Sequence, residues 1–266
     1  MTIVNKETTP LIKVRNVSKA FDGISVHKNL NLDIYPNRIV SIIGDSGSGK
    51  TTLMREILKL EEIDEGQIFL MDKCITNVSA GSKEDKALAA QMGMMFQQGA
   101  LFSSLTVLEN VMFPLKEYTD FNHKTLEDIA KTKLKLTGLP EEAFKLYPSS
   151  LSGGMIKRTA LARTLALDPK IIFLDEPSAG LDPNSAHEFD LLIKELQQFL
   201  SLTVVMVTHD LDTLWHIVDE VIYLSDKQVL LHDTVYNAAT NKEHRALYNY
   251  FNGPRGRNIQ KTHLSA

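Results

Sequence analysis

The sequence predicts an α/β fold: a parallel sheet flanked by helices, with a small antiparallel sheet before it and a helical insertion within it. Three observations predict this. Residues 38–43 form an apolar run that enters a glycine cluster, and residues 51–60 follow with helical character, which is how an α/β unit starts. Residues 170–174 and 203–207 are apolar runs rich in β-branched side chains, the composition of parallel strands buried on both faces. Residues 100–165 read as mostly helical, with mixed charge over 116–145.

Taken in order, residues 11–17 and 30–34 alternate apolar and polar side chains, as half-buried strands do. Thr106 and Glu109 have capping-box spacing ahead of an apolar stretch, which predicts a helix start there. Residues 155–167 are a helical run. Residues 221–224 and 228–231 have the pattern of a closing hairpin. The expected organisation is a single domain over 10–240, with a core of about 10–98 and 163–240 and a helical subdomain of about 99–162. A basic extension over 241–266 follows, with five Lys/Arg against one Glu. A solvated tail is the plain reading of such a charge run and a docking tail the sharper one.

Composition excludes several classes. Apolar residues make up 43% and charged residues 23% of 266, values of a globular chain with a substantial core rather than a disordered one. Cys74 is the single cysteine, so no internal disulfide forms and a reducing compartment fits. No apolar run approaches the ~18 residues of a membrane helix, and residues 1–10 lack a signal or transit pattern. The chain is therefore not expected to cross the bilayer by itself, which leaves room for a partner that does. The net charge of −4 argues against a nucleic-acid partner.

The glycine cluster carries the first chemical motif. Gly44-Asp45-Ser46-Gly47-Ser48-Gly49-Lys50-Thr51-Thr52 fits G-x-x-x-x-G-K-[ST]. Glycines let the backbone curl so that successive N–H groups face a phosphate, and the following helix presents its N-terminus to the same anion. Lys50 can reach the β- and γ-phosphates and the Thr51 hydroxyl can ligate Mg²⁺. The alternative is a Gly-rich turn with an exposed Lys, but the strand before and helix after it are the context a phosphate loop requires. A second element agrees: Ile171-Ile172-Phe173-Leu174-Asp175-Glu176 is an apolar strand ending in two acids. At the C-terminal end of a parallel strand they lie where such sheets bind ligands. Asp175 is placed to hold Mg²⁺ and Glu176 to accept a proton from an attacking water; solubilising charge at a strand end is the alternative.

Further motifs carry a resemblance. Leu151-Ser152-Gly153-Gly154-Met155 resembles the signature of ATP-binding-cassette ATPases, Gln97 their glutamine loop, residues 178–183 with Asp182 their D-loop, and His209 after the 203–207 run their switch histidine. All occur in the family's order. The resemblance implies a P-loop NTPase (RecA-like) core and an ATPase coupled to transport, with ATP and Mg²⁺ as cofactors. It implies a head-to-tail homodimer in which residues 44–52 bind ATP in cis while Ser152, Gly153 and Gly154 complete the site in trans. Gln97 would meet Mg²⁺ and the attacking water, with Glu176 and His209 catalytic. Phe21 matches the aromatic that stacks on adenine and Val26 an apolar neighbour of the base; a core role is the alternative for Phe21. The sequence departs from the family pattern at Met155, where Gln is usual, and carries an extra Gly180 in the D-loop; the Met155 side chain is expected to face away from phosphate.

The stretch after Gln97, residues 98–111, is similar to the MlaF-type branch of the family, which serves phospholipid transporters that work with MCE-domain proteins. Lys157-Arg158 after the signature and Gly253-Pro254 in the extension are similar too. That resemblance implies an integral-membrane permease, an MCE-domain protein and a small soluble subunit as partners. It places the chain peripherally at the cytoplasmic face of the inner membrane. Ala100, Leu101, Phe102 and Leu105 are expected to line an apolar groove for a permease helix, with packing between subdomains as the alternative. A small-solute importer subunit and a soluble iron–sulfur assembly ATPase share the same motifs and stay open as functions.

Overall fold

The structure, a computed structural model, describes residues 9–253. Two sheets form its frame. The first is antiparallel, in the order β2-β1-β4-β5, from β1 (Ile12–Phe21), β2 (Ile24–Ile34), β4 (Glu65–Leu70) and β5 (Lys73–Cys74). The second has six strands in the order β10-β9-β3-β8-β7-β6. They are β3 (Ile39–Ile43), β6 (Met92–Met95), β7 (Ile171–Asp175), β8 (Thr203–Val207), β9 (Glu220–Ser225) and β10 (Gln228–Thr234). Strands β9, β3, β8, β7 and β6 run parallel, and β10 returns antiparallel along β9, as the closing hairpin predicts.

Every residue of β3 and of β8 is buried, so both faces of the parallel sheet are covered. On one face lie α1 (Lys50–Ile57) and the antiparallel sheet, closing a core that includes Ile12, Leu30, Leu53, Met54 and Ile42. The other face packs α5 (Gly153–Thr164), α6 (Pro183–Leu200) and α7 (Leu211–Ile217) through Leu161, Phe189, Ile193 and Leu214. A third cluster belongs to the insertion, where α3 (Val107–Tyr118) and α4 (His123–Leu136) meet α5 through Val111, Leu115, Leu134 and Ala162.

Local chemistry sets the helix starts. Thr106 and Glu109 form the predicted capping box, with the Thr106 N–H donating to Glu109 Oε2 at 2.8 Å. Ser82 caps α2 (Lys83–Ala89), an element with no counterpart among the expected ones, as is also true of β4, β5 and β6. Asp182 caps α6 and Pro183 occupies its first turn. Helix α1 ends earlier than expected because Lys59 takes a left-handed φ of 57°, and α5 covers residues 153–164 rather than 155–167.

The boundary expected at residue 240 falls between α8 (Val235–Thr240) and α9 (Arg245–Asn252), and α9 packs on the same core. Leu247 and Phe251, one helical turn apart, are wholly buried there, and Phe251 meets Trp215 edge-on at 6.0 Å. Thus the first part of the basic extension is a docked helix. The remainder, including Pro254, lies outside the described residues.

Candidate active site

Strand β3 delivers the chain into the loop at Gly44, whose φ is 150° and where a methyl group would run into the Leu224 carbonyl of β9. The Ser48 N–H donates to the Asp45 carbonyl at 3.1 Å, curling the loop. Gly49 starts α1 in a left-handed conformation (φ 93°) with no side chain capping the helix. The first-turn amides of α1 have no carbonyl of their own helix to bond, so the helix start is a ready anion site. Lys50 Nζ donates to the Gly44 and Asp45 carbonyls at 2.9 and 2.8 Å. Burial pushes its ammonium pKa down, against the attraction of the Glu176 and Asp45 carboxylates. Thr51 and Thr52 follow in the first turn of α1, Thr51 exposed.

Asp175 ends β7, paired with Val207 of β8, the strand that lies between β7 and β3. Burial pushes its carboxyl up, the neighbouring Glu176 charge adds to this, and Arg55 and Lys157 oppose it. The Asp175 carboxylate and the Thr51 hydroxyl are oxygen donors of the kind that could hold a divalent cation. Glu176 occupies the left-handed region at φ 46°, uncommon for a residue with a side chain. Its N–H donates to the Val207 carbonyl at 2.8 Å, at the end of β8. Its carboxylate Oε1 lies 2.6 Å from Nδ1 of His209, whose side chain is 79% exposed. The structure therefore brings Lys50, Asp175, Glu176 and His209 to the C-terminal ends of the parallel strands.

Gln97 is exposed, and its backbone rather than its side chain makes the visible tie. Lys157 Nζ on α5 donates to the Gln97 carbonyl at 2.6 Å and to the Glu176 carbonyl at 3.4 Å. Lys157 is buried, and that burial lowers its ammonium pKa. In the sequence it counts only as part of a basic pair, because nothing local links residue 157 to residues 97 and 176. Arg163, further along α5, pins the next segment by donating to the Gly99 and Ala100 carbonyls, both at 2.7 Å. Asn110 is wholly buried and ties Phe102, Leu105 and Thr106 back to α3.

The β1–β2 hairpin carries Phe21 and Val26, the two residues expected to meet the base. Its turn has positive φ at Asp22 and Gly23, as a two-residue hairpin turn demands. Phe21 is 41% exposed, with the Lys19 ammonium 4.9 Å from its ring centre, so it is not a core side chain. Val26 is half-buried and lies against Gly49. Replacing Phe21 with Ala is expected to weaken ATP binding by the ~1–3 kcal/mol of a lost stacking partner. Titration calorimetry checks this, and unchanged affinity would remove Phe21 from the site.

Ser152 caps α5, its hydroxyl accepting the Met155 N–H at 3.3 Å, and Gly153 begins the helix. Met155 packs against the helical cluster, as expected of a side chain turned away from phosphate. Among the described residues no hydrogen bond or ion pair joins residues 152–154 to residues 44–52.

Beneath the D-loop lies a buried acid that no sequence motif marks. Asp190 on α6 accepts the Thr213 hydroxyl at 2.6 Å. Burial pushes its carboxyl up to about 6; Asp210 adds to the shift, while hydrogen bonds from Thr213 and Ser178 and the nearby His216 offset part of it. An acid whose folded pKa is raised keeps its proton between about 4 and 6, where the unfolded chain has lost it. Stability therefore falls as pH rises through that window and stays lower above it. Asp190→Asn is expected to be more stable than the parent at pH 8 by about 1–3 kcal/mol, with the difference gone near pH 3.5. Melting curves at the two pH values check this; a difference independent of pH would overturn it.

Comparison with known proteins agrees with this geometry. Residues 27–179 match the ABC transporter family. The intermembrane phospholipid transport ATP-binding protein MlaF of Haemophilus influenzae is 38% identical over 224 residues, covering 84% of each chain. MlaF of Escherichia coli K12 is 37% identical over 236 residues, covering 88% of this chain and 86% of that one. The glutamine transport ATP-binding protein GlnQ of E. coli K12 is 38% identical over 219 residues, covering 82% and 89%. Among solved structures, a dimeric post-hydrolysis state of the ATP-binding cassette MJ0796 bound to ADP and Pi superposes with a TM-score of 0.76 at 33% identity, covering 84% of this chain and 98% of that one. With cbiO1 of Clostridium perfringens, part of the cbiONQ transporter complex, the TM-score is 0.78 at 27% identity, covering 95% and 99%. The family match over more than half of the chain, together with relatives 37–38% identical along most of both chains, means that the chain belongs to the ABC transporter family as an ATP-hydrolysing subunit.

Proposed function

We propose that this chain powers a transporter that moves phospholipids between the inner and outer membranes. It would act as a homodimer bound to an integral-membrane permease at the cytoplasmic face of the inner membrane. An MCE-domain protein and a small soluble subunit complete the proposed assembly. The single observation that carries the cargo reading is the similarity to MlaF proteins along most of both chains. A second reading, a small-solute importer subunit, is favoured by the equally high identity to GlnQ. Among the described residues no helix is long and apolar enough to cross a membrane, which fits a peripheral subunit.

The permease contact is proposed at an apolar groove of about 480 Å³ between the core and the helical subdomain, lined by Met94, Ala100, Phe102, Phe113, Tyr118 and Leu167. The Phe102 and Phe113 rings meet there at a tilt, with centres 4.6 Å apart, and Phe102 is 43% exposed. Of the four residues expected to line it, Ala100 and Phe102 do. Leu101 instead packs against the main core, and Leu105 is not part of the lining. The groove adjoins residues 99 and 100, whose carbonyls Arg163 holds on α5, and Lys157 on the same helix holds the Gln97 and Glu176 carbonyls, giving a short physical route from docking surface to catalytic site.

For the chemistry, we assign phosphate binding to residues 44–52 and metal binding to Thr51, Asp175 and Gln97. Bound Mg²⁺ would neutralise charge on the phosphates. Glu176 accepts the proton of the attacking water, and His209 holds its carboxylate in place. Lys50 balances negative charge on the transferring group. Phe21 and Val26 hold the base. Ser152, Gly153, Gly154 and Asp182 act across the dimer, which closes when ATP bridges the two chains.

The test is to tag the chain in its native membrane, purify the complex in detergent, and weigh it and its extracted lipids by mass spectrometry. A permease, an MCE-type subunit and bound phospholipid support the proposal. A permease without either would replace it with the solute-importer reading, and no membrane partner would overturn both.

A further inference from the structure

Beneath the phosphate loop lies a polar pair that the catalytic reading does not use. His27 on β2 and Glu56 on α1 face each other with both side chains at 0% exposure. His27 Nδ1 is 3.0 Å from Glu56 Oε2 and 3.2 Å from Oε1. On the opposite side of the ring, Nε2 is 3.2 Å from the backbone carbonyl oxygen of Gly49, the residue that starts α1. That carbonyl also accepts the Leu53 N–H at 2.8 Å, the first bond of the helix.

Both of the ring's neighbours are acceptors. The two contacts are satisfied together only as imidazolium with carboxylate, or as imidazole with a protonated Glu56 donating to Nδ1. In either form Nε2–H donates to the Gly49 carbonyl. The approach is close: a methyl group at Gly49 would overlap the imidazole and press on Val26. The peptide between Gly49 and Lys50 is planar and trans, so its C=O and N–H point in opposite directions. The Gly49 carbonyl, aimed along α1 by the Leu53 N–H, is held a second time by His27, and the Lys50 N–H on the same peptide points the other way, to the open side of the loop. An apolar pair would fill the same space without burying polar groups, and such replacements are often neutral or stabilising. The polar pair thus does something that packing alone does not require.

We infer that His27, held by Glu56, is a positioning residue of the phosphate loop: it fixes the Gly49–Lys50 peptide so that the Lys50 amide is presented to the phosphates of ATP. This rests on the assignment of residues 44–52 as the ATP phosphate site. His27 touches no nucleotide; it acts through the Gly49 carbonyl. The effect belongs to ATP affinity rather than to the chemical step.

The full-length chain is tested by melting temperature, calorimetric affinity for MgATP, and steady-state KM and kcat. H27L/E56L removes both polar groups at similar volume. It is expected to melt at or above the parent's temperature, to bind MgATP about tenfold more weakly, the worth of one hydrogen bond, with KM raised alike, and to keep kcat within about threefold. A second pair avoids apolar packing altogether. In H27Q/E56Q the longer amide introduced in place of the imidazole sits where Nε2 was and restores the donor, so affinity near that of the parent is expected. In H27N/E56Q the shorter amide reproduces only the Nδ1 side and affinity stays low. Parent-like affinity in a folded H27L/E56L, or equal affinity in the two amide pairs, would overturn the inference. K50A separates the two levels of argument: it should lose MgATP binding, and if it binds normally, the phosphate-site assignment fails instead.

Discussion

Glu176→Gln is expected to bind MgATP as well as the parent and to hydrolyse it about 10²–10⁴ times more slowly, the usual worth of a positioned general base. The substitution keeps size and shape at a position where the backbone is left-handed and its N–H is fixed to Val207. The amide oxygen can still accept from His209, which lies 2.6 Å from the carboxylate, so the site's geometry survives. What disappears is the basicity, together with one of two adjoining negative charges. Asp175 is held up partly by the Glu176 charge, so its carboxyl should fall toward the ordinary range and binding of the phosphates should not weaken. Single-turnover hydrolysis and equilibrium ATP binding are the two measurements. Turnover within a few-fold of the parent would remove Glu176 as the base. Loss of binding would mean that its charge is structural.

Much of this site was legible because its signals are local. The phosphate loop needs glycines, a lysine and a hydroxyl within nine residues, and the strand and helix beside it are marked by composition alone. Strands β3, β7 and β8 were readable because sheets covered on both faces demand continuous apolar runs. Strands β4 and β5 were not: Glu65, Gly66 and Gln67 open β4 with exposed residues, and β5 is two residues long. Helix α9 was hidden by averaging. The charge count over residues 241–266 gives a basic tail, while Leu247, Tyr250 and Phe251 pack α9 against the core. The long-range ties were illegible for a different reason. Lys157 meets carbonyls 60 and 19 residues away, and His27 meets a glutamate 29 residues on. A lysine or histidine carries no mark of its partner until the fold brings the two together. Asp190 is the same case, an ordinary helical acid in sequence and a buried one in the fold.

Ser152→Arg should abolish ATP-driven dimerisation while leaving ATP binding by the single chain intact. Within one chain, Ser152 does a single local job, accepting the Met155 N–H at the start of α5. Losing that cap costs about 1 kcal/mol of helix stability. A cation at a helix N-terminus adds a further few tenths against the helix dipole. Neither change reaches residues 44–52, to which residues 152–154 make no hydrogen bond among the described residues. If this exposed helix start instead meets the phosphates of a second chain, a guanidinium there fills the space meant for the anion and blocks the helix amides. Hydrolysis should then fall by about a hundredfold or more, the scale of losing preorganised donors at a developing charge. Ser152→Ala separates the two roles, since it removes the cap without adding bulk and should still dimerise. Light scattering with and without ATP, in the slow-hydrolysing Glu176→Gln background, reads the dimer directly. An ATP-dependent dimer that survives Ser152→Arg, or a monomer that no longer binds ATP, would place the signature helix in the same chain's site and reverse the trans assignment.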